Sequence, residues 1–360
     1  MNIAIQRLIN QRLIDKPFET AAEAVSWFGA VQSQDYPNAK WGVAQRMRVA
    51  TDAMLDDAFN AGEIVRVHAM RPTWHFIAAR DLQWIQQLTS PRVHAANGYV
   101  YRTYELDKAT LRKSRTVITK ALADGKQLTR AELAKQLEKN RITASGTRLA
   151  YVVMHLELDA ILCSGPLRGK QHTYTLVADR IPSAAQLTGD AATAELARRY
   201  FRSHGPATTH DFAWWSGFTA SQAKQATALI EDELHVETWD GKAYYFYADV
   251  HASFRKPVVN LLPNYDEHVV AYRNHNPSLD PRTPDALRNW GNALTAHLVV
   301  LNGLVIGGWR KAVKANRADL NFRLPIPIKA SERKALDAAI KRYAAFVGMK
   351  TEISGLVATA

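Results

Sequence analysis

One cysteine in 360 residues leaves no partner for an internal disulfide. Cys163 stands in the apolar run Ile161-Leu162-Cys163, where a buried structural thiol is expected rather than a nucleophile. So little cysteine fits a reducing compartment, and a cytoplasmic location is expected. No apolar stretch reaches the ~18 residues that a membrane span needs, and Met1-Asn2-Ile3-Ala4-Ile5-Gln6-Arg7 carries no signal-peptide pattern. The 12 histidines are scattered, without His-x-x-x-His or Cys-x-x-Cys spacing, so no metal site is expected. A phosphate-binding glycine loop is missing too, because Gly307-Gly308 stands inside a strand pattern ahead of Trp309-Arg310, and no cofactor is expected. Acidic residues are also scarce: 34 Asp and Glu face 46 Lys and Arg, a formal net charge of +12. That balance favours a polyanionic partner, nucleic acid above all.

The length calls for more than one compact unit, and the pattern along the chain repeats. Ile5, Leu8, Ile9, Leu13 and Ile14 recur at helical spacing, as do the apolar residues of 21–31. Thr51 is placed to cap a helix that ends at Gly62. Two strands at 64–70 and 73–77 follow, joined through Arg71-Pro72. Helices and then a two-stranded ribbon are the layout of a winged helix. A second copy has a threonine cap at Thr129, a helix from about 147 to 162, a basic tip at Arg168-Gly169-Lys170 and a strand at 173–177. A third has helices around 211–215 and 221–233, with strands at 234–238 and 242–248 turned by Asp240-Gly241. From about 258 the texture becomes β-rich, with a hairpin turned by Asn302-Gly303 and one helix near 331–345 that Ser331 would cap. The fold class expected is α+β, with winged-helix units at 1–110, 111–185 and 186–252 and a C-terminal β-rich domain at 253–360.

The segment Val31-Gln32-Ser33-Gln34-Asp35 carries the most chemistry. A glutamine amide donates and accepts hydrogen bonds but does not titrate. Gln32 and Gln34 can therefore hold a water without pulling a proton strongly from it, which demands a leaving group already prepared to depart. The plain alternative is that the pair merely caps a helix end. Thr73 and His75 alternate along a strand and so share one face.

Five segments in order resemble the AlkZ/YcaQ-type winged-helix DNA glycosylases. They are the glutamine pair; Met70-Arg71-Pro72-Thr73-Trp74-His75; Ser203-His204-Gly205-Pro206-Ala207-Thr208 with Asp211 and Trp215; Leu261-Leu262-Pro263-Asn264-Tyr265-Asp266-Glu267-His268 with Tyr272-Arg273; and Gly303-Leu304-Val305-Ile306-Gly307-Gly308-Trp309-Arg310. The chain departs from the pattern at Pro72, where glycine is usual, at His268, where tyrosine is usual, and at polar Ser33, where an apolar residue is usual. The resemblance implies three winged helices and a small C-terminal β-barrel-like domain around a concave basic surface for duplex DNA.

It also implies a monofunctional DNA N-glycosylase, a hydrolase of cationic N-alkylated purines such as N7-alkylguanine and N3-alkyladenine in base excision repair, with interstrand crosslinks as a further substrate. Gln32 and Gln34 are then catalytic, positioning the water and stabilising the cationic sugar through their carbonyl oxygens. Asp35, Arg71, Thr73 and His75 support the active site. Asp266, Tyr272 and Arg273 are core or groove residues. DNA contact falls to Arg168 and Lys170 on the second wing, and to Trp309, Arg310, Lys311, Lys314 and Arg317 around the C-terminal hairpin. The partner expected is duplex DNA bearing alkylated bases, bound by a monomer without metal or membrane. A non-catalytic winged-helix DNA-binding protein or transcriptional regulator is the alternative.

Overall fold

The computed structural model describes residues 2–182, 187–247, 256–282, 296–314 and 317–358. Helices Ile3–Asn10, Ala21–Phe28, Tyr36–Ala44 and Asp52–Ala61 surround a first sheet of β1 (Val31–Gln32), β2 (Ile64–Ala69) and β3 (Thr73–Ala78), antiparallel in the order β1-β3-β2. Thr51 caps its helix by accepting from the Met54 N–H, and Gly62 closes it at φ +81°. Such a cap contributes about 1 kcal/mol. The helix expected over 21–31 stops at Phe28, because Gly29 turns the backbone to φ +84°. Val31 and Gln32 are released into an extended strand, so the glutamine pair does not cap that helix.

Helices Lys108–Leu122, Arg130–Lys139 and Gly146–Leu158 accompany a second sheet, β4 (Leu128–Thr129), β5 (Leu162–Ser164) and β6 (Thr173–Leu176), in the order β4-β6-β5. Thr129 and Glu132 form a reciprocal capping box. Cys163 is buried, and that burial pushes its thiol up to about 12, well clear of any nucleophilic role. Helices Gly189–His204, Thr209–Ser216 and Ala220–Ala228 precede a ribbon of β7 (His235–Trp239) and β8 (Lys242–Phe246). Its turn residues, Asp240 and Gly241, lie at φ +50° and +68°, the left-handed pair that a tight hairpin requires.

The C-terminal part departs from expectation. Strands β9 (Val259–Leu262), β10 (His297–Leu301), β11 (Leu304–Lys314), β12 (Arg317–Leu324) and β13 (Lys350–Ala358) form an open five-stranded sheet in the order β13-β12-β11-β10-β9. Among the described residues there is no closed barrel. The chain crosses over through helix Ala330–Val347 and returns as β13 parallel to β12, and that helix covers one face instead of closure doing so. Tyr343 on it meets Trp41 and Trp309 edge-on, at 5.1 and 5.2 Å between ring centroids. Its N-cap is Lys329 rather than Ser331, with the Glu332 carboxylate reaching back to the Lys329 N–H at 2.7 Å. The Asn302-Gly303 hairpin forms as read, at φ +49° and +85°.

Apolar packing ties these parts together. One core joins Val31, Trp41, Phe59 and Phe76 to Leu261, Trp309, Phe322 and Tyr343. A second joins Val67, Ala69 and Ile77 of the first sheet to Tyr200, Phe212 and Trp215. The β1 segment is thereby wedged between the third helical unit and the C-terminal sheet. No helix of the described residues is long and apolar enough to cross a membrane.

Candidate active site

β1 is two residues long, and its pairing with β3 sets Gln32 opposite His75 and Val31 opposite Phe76. The Ser33 N–H extends the ladder to the Trp74 carbonyl at 2.7 Å. Alternation along paired strands puts Gln32, Thr73 and His75 on one face of the sheet. That is the face whose Val67 and Ala69 pack with Trp215. Val31 and Phe76 on the other face belong to the core shared with the C-terminal sheet. Gly217 makes the first approach possible. At φ +75°, a Cβ there would collide with the carbonyl oxygen of Met70, immediately before Arg71.

Gln32 is only 8% exposed and is gripped at two points. Its side-chain Oε1 accepts from Arg71 Nη2 at 2.9 Å, and its backbone N–H donates to Glu267 Oε1 at 2.7 Å. The other Glu267 oxygen accepts from Trp215 Nε1 at 3.0 Å and His204 Nε2 at 3.2 Å. The Ser203 hydroxyl lies between His204 Nδ1, at 2.8 Å, and the Arg199 carbonyl, at 2.6 Å. Burial opposes ionisation of Glu267, but the His204 and Gln32 hydrogen bonds outweigh it and hold the carboxyl below its ordinary range. His204 is held below its own by burial and stays neutral. A carboxylate charge therefore lies against the backbone N–H of Gln32. Sequence reading passed over Glu267 and His204, although both sit in segments singled out for the resemblance. Their partners are 235 and 63 residues distant in sequence, beyond the reach of any local pattern.

Gln34 is exposed. Its Oε1 accepts from the Trp74 N–H at 3.3 Å, while Arg66 clamps the backbone around it, with Nε on the Ser33 carbonyl at 3.0 Å and Nη2 on the Gln34 carbonyl at 3.3 Å. The Arg66 guanidinium also stands 4.2 Å from the centre of the Trp74 ring, and the His68 ring lies 3.9 Å from the same indole. Arg66 was likewise missed, since a lone arginine in a strand carries no sequence signal. Asp35 is the N-cap of helix Tyr36–Ala44, accepting from the Asn38 N–H at 3.3 Å, and it also takes Asn264 Nδ2 at 3.3 Å. It starts the next helix instead of facing Gln32.

Buried polar atoms without partners among the described residues gather around this strand: Arg71 Nε, Thr73 Oγ1, His75 Nε2 and Ser33 Oγ. His75 is buried, and its Nδ1 donates to the Thr73 carbonyl at 2.9 Å, which leaves Nε2 as a bare acceptor. Burial, with Arg71 adding to it, pushes the imidazole down to about 3, so it is neutral near pH 7. Unmet hydrogen-bonding capacity of this kind is uncommon in a protein interior. Its concentration on one strand pair marks a site built to receive polar atoms from outside.

The expected DNA-contact residues divide. Lys170 and Arg310 are exposed. Arg168 is exposed but ion-paired to Glu132 at 2.8 Å. Trp309 is 3% exposed and donates Nε1 to the Leu262 carbonyl at 2.9 Å, so it is a core residue and not a surface contact. Its place on β11 points it at Tyr343. Lys311 bends back to Asn38 Oδ1 at 2.5 Å and lies near Asp35, with its amine held below the usual range by burial. Arg317 ion-pairs with Asp319 and Glu352 at 3.0 Å each. Lys314 ends β11, and its side chain lies outside the described residues. Asp266 is buried and makes a double hydrogen bond to Arg46 at 2.9 Å, and Tyr272 packs beneath the Arg7 guanidinium at 3.6 Å. Among the described residues, no group of three His, Cys, Asp or Glu is placed to hold a metal ion.

This mixed α+β chain has known counterparts. The family model described as "DNA glycosylase AlkZ-like" matches residues 25–346, so the chain belongs to the AlkZ-like DNA glycosylase family. A protein of Streptomyces sahachiroi named "Interstrand DNA cross-link repair glycosylase" is 22% identical over 363 aligned residues, covering 92% of this chain and 94% of its own. The solved "Streptomyces sahachiroi DNA glycosylase AlkZ" superposes with a TM-score of 0.81 at 19% identity, over 99% of this chain and 98% of that one.

Proposed function

We propose that this DNA glycosylase, acting as a monomer in DNA repair, releases cationic N-alkylated purines, N7-alkylguanine and N3-alkyladenine first, and accepts interstrand crosslinks joined through such positions. The three helix-and-ribbon units are read as winged helices at 1–110, 111–185 and 186–252, which with residues 253–360 hold the duplex. Alkylation places a positive charge on the base. When the C1′–N bond breaks, its electron pair leaves with the base and neutralises that charge, so no general acid is required. Water bonds to C1′ as the sugar passes through an oxocarbenium-like state, and the water's proton goes to solvent. The demands on the protein are to place that water and to favour positive charge on the sugar.

Gln34 and the Nε2 of His75 offer the water neutral acceptors, and Gln32 orients it. The carboxylate of Glu267, against the Gln32 backbone N–H, supplies negative potential in a poorly solvated place, where fixed charge acts strongly. The observation that carries the proposal is the cluster of unpartnered polar atoms beside an exposed Gln34 and a buried, anchored Gln32. Lys170 and Arg310 are proposed to track phosphates, which gives affinity without sequence reading.

The test is a duplex containing N7-methylguanine, with abasic sites revealed by alkaline cleavage. The native chain releases the base. Gln34→Ala lowers the rate 10- to 1000-fold, roughly 1.4–4 kcal/mol of barrier. Release of no cationic lesion at all would instead support a binding protein without turnover.

A further inference from the structure

Arg71 is poorly matched to its surroundings. Its guanidinium is half-buried and makes one hydrogen bond, from Nη2 to the Gln32 carbonyl oxygen at 2.9 Å, while its Nε is buried without a partner. Among the described residues no carboxylate stands within ion-pair distance of it. Glu267 acts on it only through space. Even a half-buried guanidinium without an anionic partner is costly. Its contact is also electrostatically wrong for the reaction, because a cation holds the oxygen that should face a developing cationic sugar.

A second arginine shares its platform. Arg71 lies 5.7 Å and Arg273 5.1 Å from the centre of the Trp214 ring. Trp214 is fixed by Nε1 donating to the Val270 carbonyl at 2.9 Å. The Arg273 backbone is fixed by the buried Asp211 carboxylate, whose Oδ1 accepts both the Arg273 N–H at 2.8 Å and the Asn274 N–H at 3.1 Å. That carboxylate is turned to backbone, to Thr208 and to Arg7 at 3.9 Å, and among the described residues no acid is ion-paired with the exposed Arg273 guanidinium. Arg273 borders a surface concavity of about 450 Å³ whose lining also carries Lys242, His210 and Asp211, the last already engaged by backbone N–H groups. Two arginines set against one indole, beside the catalytic strand and without an acidic ion-pair partner among the described residues, fit a phosphodiester.

We propose that Arg71 and Arg273 bind one phosphodiester of the DNA strand lying in the site, and that this phosphate draws Arg71 off the Gln32 carbonyl, freeing the amide for the reacting water only once DNA is docked. The inference rests on the glycosylase reading above. The Arg71–Gln32 bond has one ionised partner, whereas a guanidinium–phosphate pair has two and can be bidentate, so docking has the sign needed to move Arg71.

The experiment scans single neutral methylphosphonate linkages along one strand of a duplex, first in undamaged DNA and then in DNA carrying N7-methylguanine. For the native chain, one linkage near the target nucleotide weakens binding about 10-fold and lowers the slope of log affinity against log salt by about 1. At saturating protein, the same linkage in the damaged duplex slows single-turnover release at least 10-fold, because Arg71 stays on Gln32. Arg71→Gln releases the base from both damaged duplexes at one rate, because no guanidinium holds Gln32, and its binding responds less to the linkage than the native chain does. Arg273→Gln, an exposed change without risk to the fold, also shows a weakened response in the binding arm, and the double variant shows none. The proposal is overturned if no single neutral linkage alters the native affinity or salt slope, or if Arg71→Gln and Arg273→Gln respond to it as the native chain does. Binding to undamaged duplex requires no excision, so failure to release any lesion would refute the glycosylase reading and leave this arm interpretable.

Discussion

Replacing Glu267 by glutamine keeps the side chain's size and removes its charge and one acceptor. The carboxylate takes three N–H groups: Gln32 at 2.7 Å on one oxygen, and Trp215 at 3.0 Å and His204 at 3.2 Å on the other. An amide has one carbonyl oxygen, and its nitrogen donates. If the oxygen serves Trp215 and His204, the amide nitrogen faces the Gln32 N–H. A hydrogen bond to a charged acceptor is worth about 1.5–3 kcal/mol, and an orphaned buried donor costs about 1–3 more. A loss near 3 kcal/mol follows, together with a fall in melting temperature of roughly 5 °C.

The catalytic effect is separate. Without its backbone anchor the Gln32 strand shifts, and misplacement of about 1 Å costs on the order of 100-fold in rate. Glu267→Gln is therefore expected to slow single-turnover release of N7-methylguanine about 100-fold, measured where denaturant titration shows the variant still folded. Lost stability with an unchanged rate would refute the positioning role. An unchanged stability would refute the hydrogen-bond argument itself.

Two further outcomes follow from burial. Ser33 is fully buried with a hydroxyl that has no partner, so Ser33→Ala is expected to raise stability by about 1 kcal/mol in urea titration, and a loss of that size would contradict the placement. His75 and His268 are each 1% exposed, and burial pushes them down to about 3 and about 4. The unfolded chain thus binds protons that the native one refuses, and stability falls as pH drops below the ordinary histidine value of 6.5. At pH 5.5 the two groups together cost about 3 kcal/mol, measurable by urea titration against pH 7.5, and stability unchanged across that range would contradict their burial as neutral rings.

Features set by neighbouring residues were legible in the sequence. The Thr51 cap with the Gly62 stop, the Thr129 cap, and the Asp240-Gly241 and Asn302-Gly303 turns all depend on chemistry within a few residues, and all form. The end of the helix at Phe28 was misjudged because Ala30 and Val31 continue an apolar pattern, whereas the left-handed Gly29 ends it. Trp309 reads as an exposed aromatic beside Arg310 and Lys311, yet strand alternation turns it inward to Tyr343. An open sheet and a barrel share the same strand pattern, and what distinguishes them is the return of β13 beside β12. The glutamine pair was visible as an oddity of composition. Its anchoring by Arg66, Arg71 and Glu267 belongs to tertiary structure alone.

The most direct test is the pH dependence of single-turnover release of N7-methylguanine between pH 6 and pH 9. Gln32 and Gln34 do not titrate and His75 is neutral throughout that range, so the rate is predicted to stay level within about two-fold, with unmethylated guanine in the same duplex retained. A rate that rises about tenfold per pH unit would reveal a titrating general base and contradict catalysis by neutral amides on a pre-charged leaving group.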